Sequence, residues 1–233
     1  MCGRFAFYSP REAVLAVFGV SLPFDPEPHY NIAPTQIVAA IRAGAGRRPE
    51  GAALRWGLVP FWAQDPAIGN RLINARAETL AERPAFREAW RTRRCLILAN
   101  GFYEWRSEKQ ASGGRQRGRR PHYVTTPDRR PIAFAGLWER WHKGGAPLET
   151  CTIITTEASR LVRELHNRMP VILPPHALQL WIDPSQPVEV LERLLQPAPD
   201  DLLVFHEVSR AVNSPANEGP ELIAAASVTV PPA

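Results

Sequence analysis

Lysine is almost missing from this 233-residue chain: only Lys109 and Lys143 occur among its 28 basic side chains. Both fall in segments expected to be loops, so imine chemistry has no buried lysine to use. No run of about 18 apolar residues exists, which excludes a membrane-spanning helix. The first dozen residues include Arg4 and Glu12 and no apolar h-region, so no secretory leader is read there. The expectation is a cytoplasmic, monomeric protein with no membrane partner. Cysteine is scarce as well. Cys2, Cys95 and Cys151 form no Cys-x-x-Cys pair, and their spacing suits neither a zinc site nor a disulfide framework. No phosphate-cradling loop or dinucleotide fingerprint appears, so no cofactor and no metal is expected.

What is present is ordinary for a folded domain: 45% hydrophobic and 22% charged residues, enough to build a core in a chain of this length. The formal charge of +5 comes almost entirely from arginine. Arginine suits bidentate phosphate contacts and stacking on bases, although a GC-rich genome gives the same bias. Cys95 and Cys151 each open an apolar run and read as small buried hydrophobes in strands.

Along the chain, residues 3–8 read as a strand. Ser9-Pro10-Arg11-Glu12 reads as a capping box with proline at the first helical position, followed by a face of Val14, Leu15 and Phe18 and a stop at Gly19. Pro23 to Pro34 is a proline-punctuated loop. Strands follow at 36–42 and 53–56, then the aromatic stretch Trp56 to Trp62, which is either core or an exposed stacking shelf. Asn74 to Thr79 leads into a short helix, and a second starts at Pro84. Strands 94–99 and 102–105 are joined by Asn100-Gly101, a strong hairpin dipeptide. Ser107–Arg120 reads as a mobile basic loop. Further strands are expected at 122–126, 132–138, 150–155 and 202–208, with helices at 157–165, 175–182 and 188–195 and an irregular tail from Ser209. The class is therefore α+β: one domain, residues 1–233, with a mostly antiparallel sheet curled into a barrel-like core and flanking helices.

The candidate chemistry begins at Cys2, which becomes the amino terminus if Met1 is removed. Its α-amine would titrate near ~7.7–8.0, against ~10.4 for a lysine, and its thiol near ~8.5. An amine and a thiol on adjacent carbons trap an aldehyde first as an imine and then as a five-membered thiazolidine, which an internal cysteine cannot do. Position alone is weak support, since chain ends fray. Glu104 lies between Tyr103 and Trp105 in an aromatic strand, where a carboxylate is either salt-bridged or held for acid–base work. His166, before a proline turn, reads as a structural histidine or an acid–base group. Asn74 and Arg76 read as capping and solvent groups or as site residues.

Seven motifs change these odds. Cys2-Gly3-Arg4-Phe5, Tyr30-Asn31-Ile32-Ala33-Pro34-Thr35, Trp56-Gly57-Leu58-Val59-Pro60, Asn74-Ala75-Arg76-Ala77-Glu78-Thr79, Gly101-Phe102-Tyr103-Glu104-Trp105, Ala135-Gly136-Leu137-Trp138-Glu139 and His166-Asn167-Arg168-Met169-Pro170-Val171-Ile172-Leu173 occur in this order. The set resembles the SOS response associated peptidase family over almost the whole chain. The resemblance implies a partner, single-stranded DNA containing abasic sites, captured covalently in the DNA damage response and near the nucleoid. It implies Cys2 as nucleophile, Asn74 positioning the amino terminus or sugar, Glu104 as general acid and base, and His166 supporting imine formation and reversal. Arg4, Arg76 and Arg168 would meet phosphates, and Trp62 and Trp105 would pack against flanking bases.

Two departures stand out: Asn167 replaces a common aspartate, and the 107–120 segment is long and basic. Two other readings stay open. One is an amino-terminal-nucleophile hydrolase or autopeptidase, although Asn100-Gly101 is followed by Phe102 and not by the aspartate of a glutamine amidotransferase. The other is a non-covalent single-strand binder.

Overall fold

The computed structural model describes residues 2–107, 118–143 and 145–226. In chain order its elements are β1 (Phe5–Phe7), α1 (Arg11–Phe18), β2 (His29–Ile32), β3 (Ile37–Ala43), β4 (Pro49–Trp56), β5 (Asn74–Arg76), α2 (Arg87–Thr92), β6 (Arg94–Ala99), β7 (Gly101–Ser107), β8 (Arg119–Thr125), β9 (Ile132–Trp141), β10 (Leu148–Glu157), β11 (Arg168–Pro170), β12 (Ile172–Leu173), α3 (Leu178–Ile182), α4 (Val188–Glu192) and β13 (Val204–Glu207). Strands dominate and the helices are short, as the α+β reading expects.

Two sheets form. In the larger, β4, β3, β6, β9 and β10 pair in sequence and β10 returns to β4, closing a five-strand ring in which only β10 and β4 are parallel. After the 57–73 excursion, β5 takes up the line of β4 along β10, with Asn74 opposite Ile153 and Arg76 opposite Thr155. On the other flank of β10, β11 sets Arg168 opposite Glu157. The smaller sheet has the order β13-β8-β7-β1-β2.

Side-chain alternation assigns the faces of the smaller sheet. Phe5 and Phe102 turn inward and meet Trp56 and Phe134 of the ring edge-on, with centroids 5.1–6.1 Å apart. Tyr103 and Tyr123 face outward, where Val208, Val212, Leu222 and Ile223 of the C-terminal segment cover them.

Several local expectations give way to longer-range contacts. The 3–8 strand shortens to β1, and a strand, β2, forms inside the expected proline loop. Ser9 does not cap α1; Pro10 occupies the cap position, while Ser9 Oγ accepts from Asn100 Nδ2 at 2.7 Å. Leu15 is half-exposed and Val14 and Phe18 are buried, so the helix face is narrower than its apolar spacing suggests. Gly19 does end the helix, in the left-handed region at φ 68°. Residues 157–165 are not a helix: β10 continues to Glu157 in register with Arg168, and only Val162–Glu164 makes a 3-10 turn. Cys95 and Cys151 are buried in strands, as read. The 107–120 reading falls mostly on residues 108–117, outside the described residues.

Asn100-Gly101 joins no hairpin. β6 belongs to the ring and β7 to the smaller sheet, and Asn100 is the crossing point. Its buried amide accepts from the backbone N–H of Tyr8 (2.9 Å) and Ser9 (3.1 Å) and donates to Ser9 Oγ and the Arg129 carbonyl. Each such bond contributes roughly 0.5–1.5 kcal/mol, and orphaned partners cost more. Asn100→Ala is therefore expected to lower unfolding stability by about 2–4 kcal/mol in urea denaturation; a loss below about 0.5 kcal/mol would contradict the assignment.

Candidate functional site at the amino terminus

Cys2 precedes β1, which is flanked by β2 and β7, so the amino terminus is gripped on both sides. Cys2 is completely buried. Asn74, at the head of β5, donates from Nδ2 to the Cys2 carbonyl at 2.7 Å, which ties the ring to the start of the chain. The amide's other end, Oδ1, is buried and accepts no hydrogen bond from the described residues. Glu104 is 3% exposed and, by alternation on β7, shares the inward face with Phe102. Burial, reinforced by the Glu104 charge, pushes the Cys2 thiol far above its ordinary range, so the sulfur rests as S–H. The structure thus brings Cys2, Asn74 and Glu104 together.

His166, Arg168 and Arg76 gather at the C-terminal end of β10. His166 Nδ1 accepts the Arg168 backbone N–H at 2.9 Å. The Arg168 guanidinium grips Glu78 through both nitrogens, at 2.5 and 2.9 Å, and the Thr155 carbonyl at 2.7 Å. That hydrogen-bonded pairing lowers the Glu78 pKa. Arg76 is exposed, shares its face of β5 with Asn74 by alternation, and has no side-chain hydrogen bond among the described residues.

The other expected site residues stand elsewhere. Arg4 Nη1 donates to Asn31 Oδ1 at 2.6 Å and to the Val212 carbonyl at 2.9 Å. Trp105 lies with Tyr103 on the outward face, its ring N–H on Asn213 Oδ1 at 2.8 Å. Both side chains are therefore engaged with the C-terminal segment. Asn31, which the sequence reading left without a role, is the anchor of that segment: its amide donates to the carbonyls of Ser214 and Asn217, each at 2.9 Å. Phe61 and Trp62 occupy the middle of a turn closed by Ala63 N–H on the Pro60 carbonyl and are 51% and 42% exposed. The shelf reading thus applies to them, whereas Trp56 is core. They line a cleft of about 750 Å³ together with Arg42, Arg87, Arg93 and Trp138. Arg42 sits 4.3 Å over the Trp138 ring. None of Cys2, Asn74, Glu104 or His166 lines this cleft. Its distinguishing signal in the sequence is the exposed aromatic pair after Pro60.

The family model described as SOS response associated peptidase matches residues 1–215. The chain belongs to that family. It is 42% identical over 230 residues to the abasic site processing protein YoqW of Bacillus subtilis, covering 96% of this chain and 99% of that one. It is 32% identical over 236 residues to the abasic site processing protein YedK of Escherichia coli, again 96% and 99%. Among solved structures, a protein from Bacteroides thetaiotaomicron superposes with a TM-score of 0.83 at 24% identity, covering 97% of this chain and all of that one; this likeness shows the fold. As a member of the SOS response associated peptidase family, the chain places the motif residues Cys2, Asn74 and Glu104 in one buried corner, and no helix among its described residues is long and apolar enough to cross a membrane.

A thiol held protonated in a closed corner reacts slowly. Iodoacetamide near neutral pH is expected to modify Cys2 at least about tenfold more slowly than free cysteine, read by peptide mass spectrometry. Modification at the free-thiol rate would contradict the burial.

Proposed function

We propose that the protein captures abasic sites in single-stranded DNA covalently through Cys2, once Met1 has been removed. The observation that carries this reading is the Asn74 hydrogen bond to the Cys2 carbonyl beside the buried Glu104, in a chain whose relatives are named abasic site processing proteins. An abasic sugar is an aldehyde in equilibrium with its closed hemiacetal. Glu104 assists the opening of that ring and moves protons as the Cys2 amine attacks and water leaves. Asn74 holds the residue through its carbonyl, and its Oδ1 accepts from the new amine or from a sugar hydroxyl. The thiol, still protonated, then adds to the imine carbon and closes the thiazolidine. His166 supports imine formation and its reversal.

Arg76, exposed beside Asn74, meets a phosphate directly. Arg168 does so by exchanging Glu78 for the phosphate. Arg4 and Trp105 act through the same strands that hold Cys2 and Glu104, and Trp62 offers a flanking base a stacking surface.

The test is incubation of wild-type protein and Cys2→Ala with an abasic oligonucleotide, followed by a denaturing gel. Wild type is expected to form a denaturation-resistant adduct and Cys2→Ala none. An adduct in Cys2→Ala, or none from wild type with verified loss of Met1, would overturn the mechanism and favour the hydrolase or the non-covalent binder. On the same gel, Glu104→Gln is expected to slow adduct formation by about 10²–10⁴-fold while DNA affinity changes little. Equal losses in rate and affinity would make Glu104 structural.

A further inference from the structure

Glu104 on β7, His122 on β8 and Glu207 on β13 stand directly opposite one another. Cross-strand partners share a face, with Cβ atoms roughly 4.5–5.5 Å apart. The three side chains therefore form a row on the inward face that also carries Phe102 and Val124. The row leads outward: Glu104 is 3% exposed and His122 6%, whereas the Glu207 side chain is 41% exposed and pairs with Arg120 at 3.2 Å.

At rest the imidazole of this middle residue has two contacts. Its Nδ1–H donates to the Arg120 carbonyl at 3.1 Å, and Phe205 meets the ring edge-on at a centroid distance of 5.7 Å. A neutral ring with its proton on Nδ1 keeps a lone pair on Nε2. Burial lowers its pKa; the Arg120 carbonyl and Glu207 act in the opposite direction, and the charges of Arg106 and Arg120 reinforce burial. A ring that rests neutral passes a proton on and does not store it.

The covalent reading proposed above, on which this inference rests, leaves a proton to export. At neutral pH the Cys2 amine is mostly ammonium, with an ordinary pKa near ~7.7–8.0. On the way to a neutral thiazolidine the ammonium gives up two protons and the thiol one. The departing aldehyde oxygen takes two of them as water, so one proton is left over in a buried corner whose acid–base group must be reset. We propose that His122 relays this proton from Glu104 to Glu207 and so to solvent. The Glu104 carboxyl gives its proton to Nε2, forming an imidazolium; the ring then releases the Arg120 carbonyl, turns, and gives the Nε2 proton to the Glu207 carboxylate, returning neutral with its proton on Nδ1.

The test is single-turnover adduct formation with an abasic oligonucleotide at saturating DNA, in dilute buffer between about pH 6 and 8.5. His122→Phe replaces the ring with an apolar one beside Phe205, and His122→Gln keeps a donor for the Arg120 carbonyl without a titrating group. Both are expected to slow the reaction about tenfold with DNA affinity unchanged, to alter the pH profile, and to recover rate when free imidazole is added. Wild-type rates in both variants, or a loss that imidazole does not restore, would overturn the relay. Absence of an adduct from wild type would remove the covalent reading itself, and the affinities measured on the same samples distinguish the two failures.

Discussion

The hydrogen bond from Asn74 to the Cys2 carbonyl joins the two halves of this structure at the point where chemistry is proposed. A single such bond contributes only about 1 kcal/mol. Its importance is positional. Chain ends ordinarily fray, but here β1 is paired on both edges and its first residues are tied to the strand that continues β4 along β10. The consequence is a fully buried second residue with a fixed backbone beside a carboxyl group.

Electrostatics then orders the reactive groups. Burial and the Glu104 charge hold the Cys2 sulfur as a thiol, and for that reason the proposed mechanism runs amine first, with the sulfur closing the ring afterwards. The cations nearby differ in how they are engaged. Arg168 is neutralised by Glu78, whereas Arg76 is exposed beside Asn74. On the outward face of the smaller sheet, Arg4 and Asn31 clamp the C-terminal segment, which braces β1 and β2 from behind.

The sequence reading could name Cys2, Asn74, Arg76 and Glu104 as candidates because their signals are local. Residue 2 is a position, Asn74 and Arg76 follow strand alternation, and Glu104 announces itself as a carboxylate between aromatics. What it missed depends on contacts distant in sequence. Asn100-Gly101 specifies a tight turn but not the sheet to which each flanking strand belongs, so the crossing between sheets read as a hairpin. The helical pattern of 157–165 gives way because Arg168 extends β10 through Glu157 and Asp200 accepts the Leu161 N–H. Asn31 acquires its role only when residues 212–217 return to it, and the register that sets His122 opposite Glu104 follows from strands separated by the 107–120 segment.

The central claim is that both nucleophiles of Cys2 end in one ring, and the most direct measurement is the mass of the Cys2 peptide crosslinked to an abasic oligonucleotide, before and after borohydride and iodoacetamide. The account predicts the summed masses less one water, no uptake of two hydrogens from borohydride, and no alkylation at Cys2. An adduct that borohydride reduces, or whose Cys2 sulfur is still alkylated, would be an open imine and would contradict it.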